Sequence, residues 1–151
     1  MNSHDDTGTV WADGTGADTG TVWADGTGAV DLVTAAGIDH VRLVYDYLDA
    51  GDLDGCASLL HDAVVFELPG LPPARGRSAA VRAHAGHVPP AARHELEHLL
   101  ARDRTVIATG RRVPAPAPSG PAPAGHRFVD VFTIAPDGMV RACVRYYHAA
   151  P

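Results

Sequence analysis

His126-Arg127-Phe128-Val129-Asp130-Val131-Phe132-Thr133-Ile134 runs into Ala135-Pro136-Asp137-Gly138 and on into Met139-Val140-Arg141-Ala142-Cys143-Val144-Arg145-Tyr146-Tyr147-His148. The first and last parts are rich in β-branched and aromatic residues, and the middle has Pro second and Gly fourth, which suits a type I turn closing a hairpin. A strand sends alternate side chains to opposite faces, so Asp130 points the same way as Phe128 and Phe132 while Val129 and Val131 point the other way. Both faces read as buried. A carboxyl between two aromatic rings must be paired, protonated or in contact with a wet cavity, because an unpaired buried charge costs more than the strand can offset. The alternative is an edge strand whose Asp130 reaches solvent.

With residues 135–138 as the loop, Ile134 faces Met139, Asp130 faces Cys143 and Phe128 faces Arg145. Arg145 is then a diagonal neighbour of Asp130 on the same face, within reach of a guanidinium. One face of the hairpin would present His126, Asp130, Arg145 and Tyr147 among Phe128 and Phe132. A slip of one residue would turn Arg145 away.

Outward from the hairpin, the rest reads as an α+β domain. Ile38, Val41, Leu43, Val44, Tyr47 and Leu48 recur at helical spacing up to Gly51, a natural stop. Leu53 to Leu60 gives a second short helix capped by Asp52 or Asp54. Ala63 to Leu68 is strand-like, Ser78 to His87 is helical before Pro89-Pro90, and strands are expected over 93–101, 104–113, 126–135 and 139–148. Helices, strand, helix and then antiparallel strands describe helices on one face of a curved sheet. Pro114 to Gly125, with five prolines, is an extended connector.

The 151 residues suit one domain of about 36–151 plus a tail. In that tail Asp6 to Ala17 reads DTGTVWADGTGA, and Asp18 to Ala29 repeats it letter for letter. Gly, Thr and Asp dominate it, so residues 1–31 are expected to be disordered. Neither an EF-hand nor a nonapeptide calcium spacing is present. The tail holds six acids and no base, leaving residues 32–151 with twelve acids and twelve arginines in a chain without lysine. Arginines scattered over a neutral domain exclude a nucleic-acid footprint. Two distant cysteines, Cys56 and Cys143, make neither a disulfide framework nor a zinc cluster and fit a reducing cytoplasm. No run approaches membrane-spanning length, and the start lacks a signal-peptide pattern.

Among the histidines, His94 and His98 lie four apart on an expected strand and hence on one face, too far apart to share a metal; His84 and His87 lie three apart on a helix. No metal or cofactor is expected. His40 and His61 read as surface residues, Glu95, Glu97, Arg102 and Arg104 as a solvated face, and Tyr45 and Tyr47 as core or cavity wall.

Leu48-Asp49-Ala50-Gly51-Asp52, the LLHDAVVF run (59–66), GPAPAGHR (120–127) and VDVFTIAPDGMV (129–140) resemble the SnoaL-like polyketide cyclases of the NTF2-like superfamily over roughly residues 38–148. The resemblance implies a cone-shaped α+β fold, a pocket for a hydrophobic polyketide-like molecule, and a homodimer. It also implies cofactor-free ring closure in bacterial secondary metabolism, by aldol chemistry or templated cycloaddition. Asp130 falls on the cyclases' acid/base position, with Arg145 or Tyr147 to stabilise an enolate. Ketosteroid isomerases, also similar, use this strand position for a protonated aspartate. Their base is matched most nearly by Glu67, and their tyrosine falls at Val44, beside Tyr45. Limonene-type epoxide hydrolases need a carboxylate where this chain has Arg145. In the manner of scytalone dehydratases, His94 or His98 would line the cavity as a general acid. The expected site is thus Asp130 and Arg145, with Tyr45, Glu67, His94, His98, His126, Phe128, Phe132 and Tyr147 around the substrate. A non-catalytic binding module is the alternative from another class.

Overall fold

A computed structural model describes residues 21–23, 32–87, 92–114 and 125–148. Most of the tail, the Pro89-Pro90 stop and the interior of the proline-rich connector lie outside the described residues.

Apolar periodicity makes α1 (Leu32–Ala50), which buries Ile38, Val41, Val44 and Tyr45 along one stripe. Gly51 ends it with φ 73°, a left-handed conformation that costs glycine little. Asp52 then caps α2 (Leu53–Ser58), accepting from the Gly55 N–H at 2.8 Å. That helix is shorter than expected, because Leu60 already begins strand β2 (Leu60–Glu67). A two-residue strand, β3 (Ala74–Arg75), precedes α3 (Arg77–His87). Four longer strands follow: β4 (Arg93–Arg102), β5 (Thr105–Val113), β6 (His126–Ile134) and β7 (Val140–Tyr147). Within the tail, Thr21–Trp23 forms strand β1.

The strands make one curved, unclosed sheet in the order β1-β4-β5-β6-β7-β2-β3. Its centre, β4 to β7, is an antiparallel meander as expected, but β2 runs parallel to β7 and β1 parallel to β4. The helices lie against the concave face. There Val64, Phe66, Leu99, Val106, Ala108, Phe128, Phe132 and Cys143 meet Ile38, Val41, Val44 and Tyr45 in one core. The approach is closest at Gly37, where an added Cβ would stand 2.6 Å from Ile134.

The hairpin register differs from the expectation by two residues: Asp130 lies directly opposite Arg145, Phe128 opposite Tyr147 and Phe132 opposite Cys143. Two departures from a four-residue loop add up. Ile134 pairs with Val140, so the loop holds five residues, and a bulge between Thr133 and Ile134 sets Thr133 opposite Ala142. A shift of two preserves face, so Arg145 still points the same way as Asp130.

A second bulge, between Leu96 and His98 on β4, overturns another expectation. It sends Glu97 and His98 to the same outer face, so His94 and His98 do not share one. Gly110 faces this bulge, and a Cβ there would stand 2.3 Å from the Glu95 main-chain oxygen.

Candidate functional site

Adjacent strands and one helix build the centre of the concave face. Asp130 is fully buried, and so in effect is Arg145, at 2% exposure. Arg145 Nε donates to Asp130 Oδ1 at 2.7 Å and Nη2 to Oδ2 at 2.6 Å, the side-on fork that a guanidinium offers a carboxylate. From α1 the Tyr45 hydroxyl donates to Asp130 Oδ2 at 2.5 Å. Both carboxylate oxygens are therefore engaged, one of them twice. The edge-strand alternative is excluded. Burial, and next the charge of Asp130, push the Tyr45 phenol well above its usual pKa, keeping it a donor. Burial works against the charge on Arg145, but the hydrogen bonds and charge of Asp130 outweigh it and raise its pKa.

Next to this triad a second carboxylate makes a polar contact. Asp49, in the last turn of α1, accepts from the His94 main-chain N–H at 2.7 Å and lies 2.6 Å from His94 Nδ1. The His94 side chain is fully enclosed; its exposure is confined to the main chain, where no strand of the described residues pairs with the other side of β4. With Nδ1 held by Asp49, Nε2 is the ring nitrogen left facing the interior. That ring lies 5.0 Å from Tyr45, 5.6 Å from Phe128 and 5.9 Å from His84, centroid to centroid. His84, from α3, is wholly buried beside Phe66. Burial, then the charge of Arg145, hold its pKa well below the usual histidine value, so it is neutral.

Four buried nitrogens of this cluster have no partner among the described residues: Arg145 Nη1, His94 Nε2, and both ring nitrogens of His84. Buried polar atoms are nearly always hydrogen-bonded, so these four nitrogens stand out amid the apolar rings of Tyr45, Phe66, Phe128 and Phe132. No three of His, Cys, Asp and Glu converge as a metal site among the described residues.

The structure brings together Asp130, Arg145, Tyr45, His94, Phe128 and Phe132, with Tyr147 half-buried at the rim. The Arg145 guanidinium carbon lies 4.7 Å from the Phe128 ring centre and 5.9 Å from that of Tyr147. Three expected residues stand apart. Glu67 is exposed at the end of β2, on the strand face opposite to Phe66, and His126 is exposed at the start of β6. His98 lines a hollow of about 370 Å³ on the outer face with Glu97, Thr109, Arg127, Val129 and His148. The Glu95–Arg111 and Glu97–Arg127 ion pairs of that face are the expected solvated charges.

Asp49 and His84 are the additions. Each carries a sequence signal: an acid in the final turn of a helix opposes the helix dipole, and His84 continues the buried stripe of Ala80 and Val81 at helical spacing.

A family model described as SnoaL-like domain matches residues 41–143. The search of curated proteins returns no match. Among solved structures, one similar chain is a candidate ketosteroid isomerase from Kribbella flavida DSM 17836. It has 19% identity and a TM-score of 0.65, with 78% of this chain and 82% of that chain covered. A candidate SnoaL-like polyketide cyclase from Jannaschia sp. CCS1 is similar at 17% identity and TM-score 0.66, covering 80% and 91%. TerC, crystallised with polyporic acid, is similar at 20% identity and TM-score 0.61, covering 75% and 92%.

Proposed function

The chain belongs to the SnoaL-like domain family, and on that premise we propose that it is a cofactor-independent cyclase that closes a ring on a polyketide-type intermediate by acid/base chemistry. One observation carries this reading: His94 is enclosed, oriented through Nδ1 by Asp49, and presents an unpartnered Nε2 to an aromatic interior. A carbon between two carbonyls is acidic enough for an imidazole base in a dry site. His94 Nε2 takes that proton, and Arg145 Nη1 holds the enolate oxygen. The enolate carbon attacks a second carbonyl, a C–C bond forms, and the imidazolium returns the proton to the new alkoxide. Asp130 and Tyr45 fix the guanidinium; with both oxygens engaged, Asp130 is assigned the positioning role.

A dehydration reading is favoured by His84, a neutral histidine 5.9 Å from His94 whose ring N–H can hydrogen-bond a departing hydroxyl. The remainder of the proposal is a homodimer formed through the outer sheet face, where Leu100, Val129 and Tyr146 are exposed, acting in the cytoplasm of a bacterium.

The test is turnover of a synthetic linear tetraketide ester, followed by chromatography and absorbance, by the native chain and by His94→Gln and Asp49→Asn. His94→Gln is expected to lower kcat about 100-fold or more, and Asp49→Asn by less. Unchanged turnover by His94→Gln would sink the assignment. Binding without turnover by the native protein would make the chain a binding module, and a product lighter by one water would favour dehydration.

A further inference from the structure

Among the described residues, the acids that meet this cluster are already taken: buried Asp130 by Arg145 and Tyr45, and Asp49, at the exposed end of α1, by the main chain and ring of His94. One more arginine faces the same interior. Arg112 follows Ala108 and Gly110 on the concave side of β5 and is the direct cross-strand partner of His94. It is half-buried, and Nη1 alone makes its hydrogen bonds, at 2.8 Å to the His87 carbonyl at the end of α3 and at 2.9 Å to the Tyr147 hydroxyl. Both acceptors are neutral. The Nε–Nη2 edge, by which Arg145 grips Asp130, carries no carboxylate of the described residues on Arg112.

We propose that this edge of Arg112 is a carboxylate-binding subsite, so that the substrate is an acid, held by its carboxylate beside His94. This rests on the reading of this interior as a small-molecule site and adds the chemical class. A guanidinium fork matches a planar carboxylate in two parallel hydrogen bonds, and charge-assisted bonds in a half-buried site are stronger than neutral ones. The surroundings agree in sign. His84 and His87 both feel the positive charges of Arg145 and Arg112, in addition to burial, and no acid is among the groups acting on them. Tyr147 serves as a shared platform, since the Arg112 guanidinium lies 5.5 Å from its ring centre and that of Arg145 5.9 Å. A carboxylate on Arg112 would fix one end of the substrate next to His94, while Arg145 Nη1 remains free for a carbonyl oxygen. The contact with the His87 carbonyl also ties down the end of α3, so a purely structural role is the competing explanation.

Two probes of nearly equal shape separate the two: 2-naphthoate, an anion, and 2-acetonaphthone, a neutral ketone, titrated calorimetrically into the full chain, Arg112→Gln and Arg112→Lys. The native protein is expected to bind the anion about 10- to 100-fold more tightly than the ketone, with a preference that shrinks as salt rises. Arg112→Gln should abolish that preference and leave ketone affinity unchanged, and Arg112→Lys should keep part of it. Equal affinity of the native protein for the two probes, loss of both alike in Arg112→Gln, or binding of neither would overturn the proposal. If Arg112→Gln fails to fold, Arg112→Lys and the native salt dependence decide. Anion preference with no effect of His94→Gln on turnover would sink the cyclase reading alone; ketone binding without anion preference would sink this one alone.

Discussion

Asp130→Asn is the sharpest perturbation of the buried pair. It removes the counter-ion of Arg145, which is 2% exposed and donates to Asp130 through two bonds of 2.7 and 2.6 Å. Deleting one partner of a buried ion pair costs about 3–5 kcal/mol, because the remaining charge stays desolvated. Asparagine keeps the shape and one acceptor oxygen but turns an amide N–H₂ toward donors, either the guanidinium or the Tyr45 hydroxyl, so about 3–4 kcal/mol is expected. Set against a typical domain stability of about 5–15 kcal/mol, the variant still folds in the cold but loses much of its margin. Equilibrium urea unfolding followed by circular dichroism should place its midpoint about 2 M lower, for a slope of about 1.5–2 kcal/mol/M. The double variant Asp130→Leu/Arg145→Met removes both charges and should fall within about 1–2 kcal/mol of the native chain. The singles Asp130→Leu and Arg145→Met with this double then give a coupling energy of at least about 2 kcal/mol. Asp130→Asn within about 1 kcal/mol of native, or single effects that simply add, would refute the claim that the two groups form one buried unit.

Two other stability outcomes are expected. Gly37→Ala should destabilise by about 1–3 kcal/mol in the same assay, because its Cβ would meet Ile134 at 2.6 Å, and Ile134→Val should recover part of the loss. Acidification should weaken the fold through His84: its folded pKa is lowered, so the unfolded chain binds the extra proton first, and stability falls as pH drops below about 6.5. The slope is at most about 1.4 kcal/mol per pH unit for one group. Unfolding at pH 7 and pH 5 should show a flatter dependence for His84→Leu than for the native chain. Equal slopes would mean that His84 is protonated in the folded state.

Legibility in the sequence followed the range of the signal. Alternation along 126–134 placed Phe128, Asp130 and Phe132 on one face, and parity along 140–147 kept Arg145 with them although the pairing moved by two residues. Nothing local announced the loop of five or the bulge that caused the shift. The same holds for the β4 bulge, which parted His94 from His98 on the strength of a packing event opposite Gly110. Tyr45 was legible as core or cavity wall, but not as the donor to a carboxylate 85 residues away. Asp49 and His84 carried weak signals, an acid at the unfavourable end of a helix and a histidine on an apolar stripe, which acquire meaning only beside their partners.

Periodicity, caps and turn residues act within a few neighbours along the chain. By themselves they determined the helices, the strands, the hairpin and the inward placement of Asp130 and Arg145. Register, bulges and the docking of α1 and α3 on the sheet are settled by contacts between distant segments. Only these decided that Asp130 is clamped by Arg145 and Tyr45, that Asp49 orients His94, and that Arg112 stands beside it without an acid.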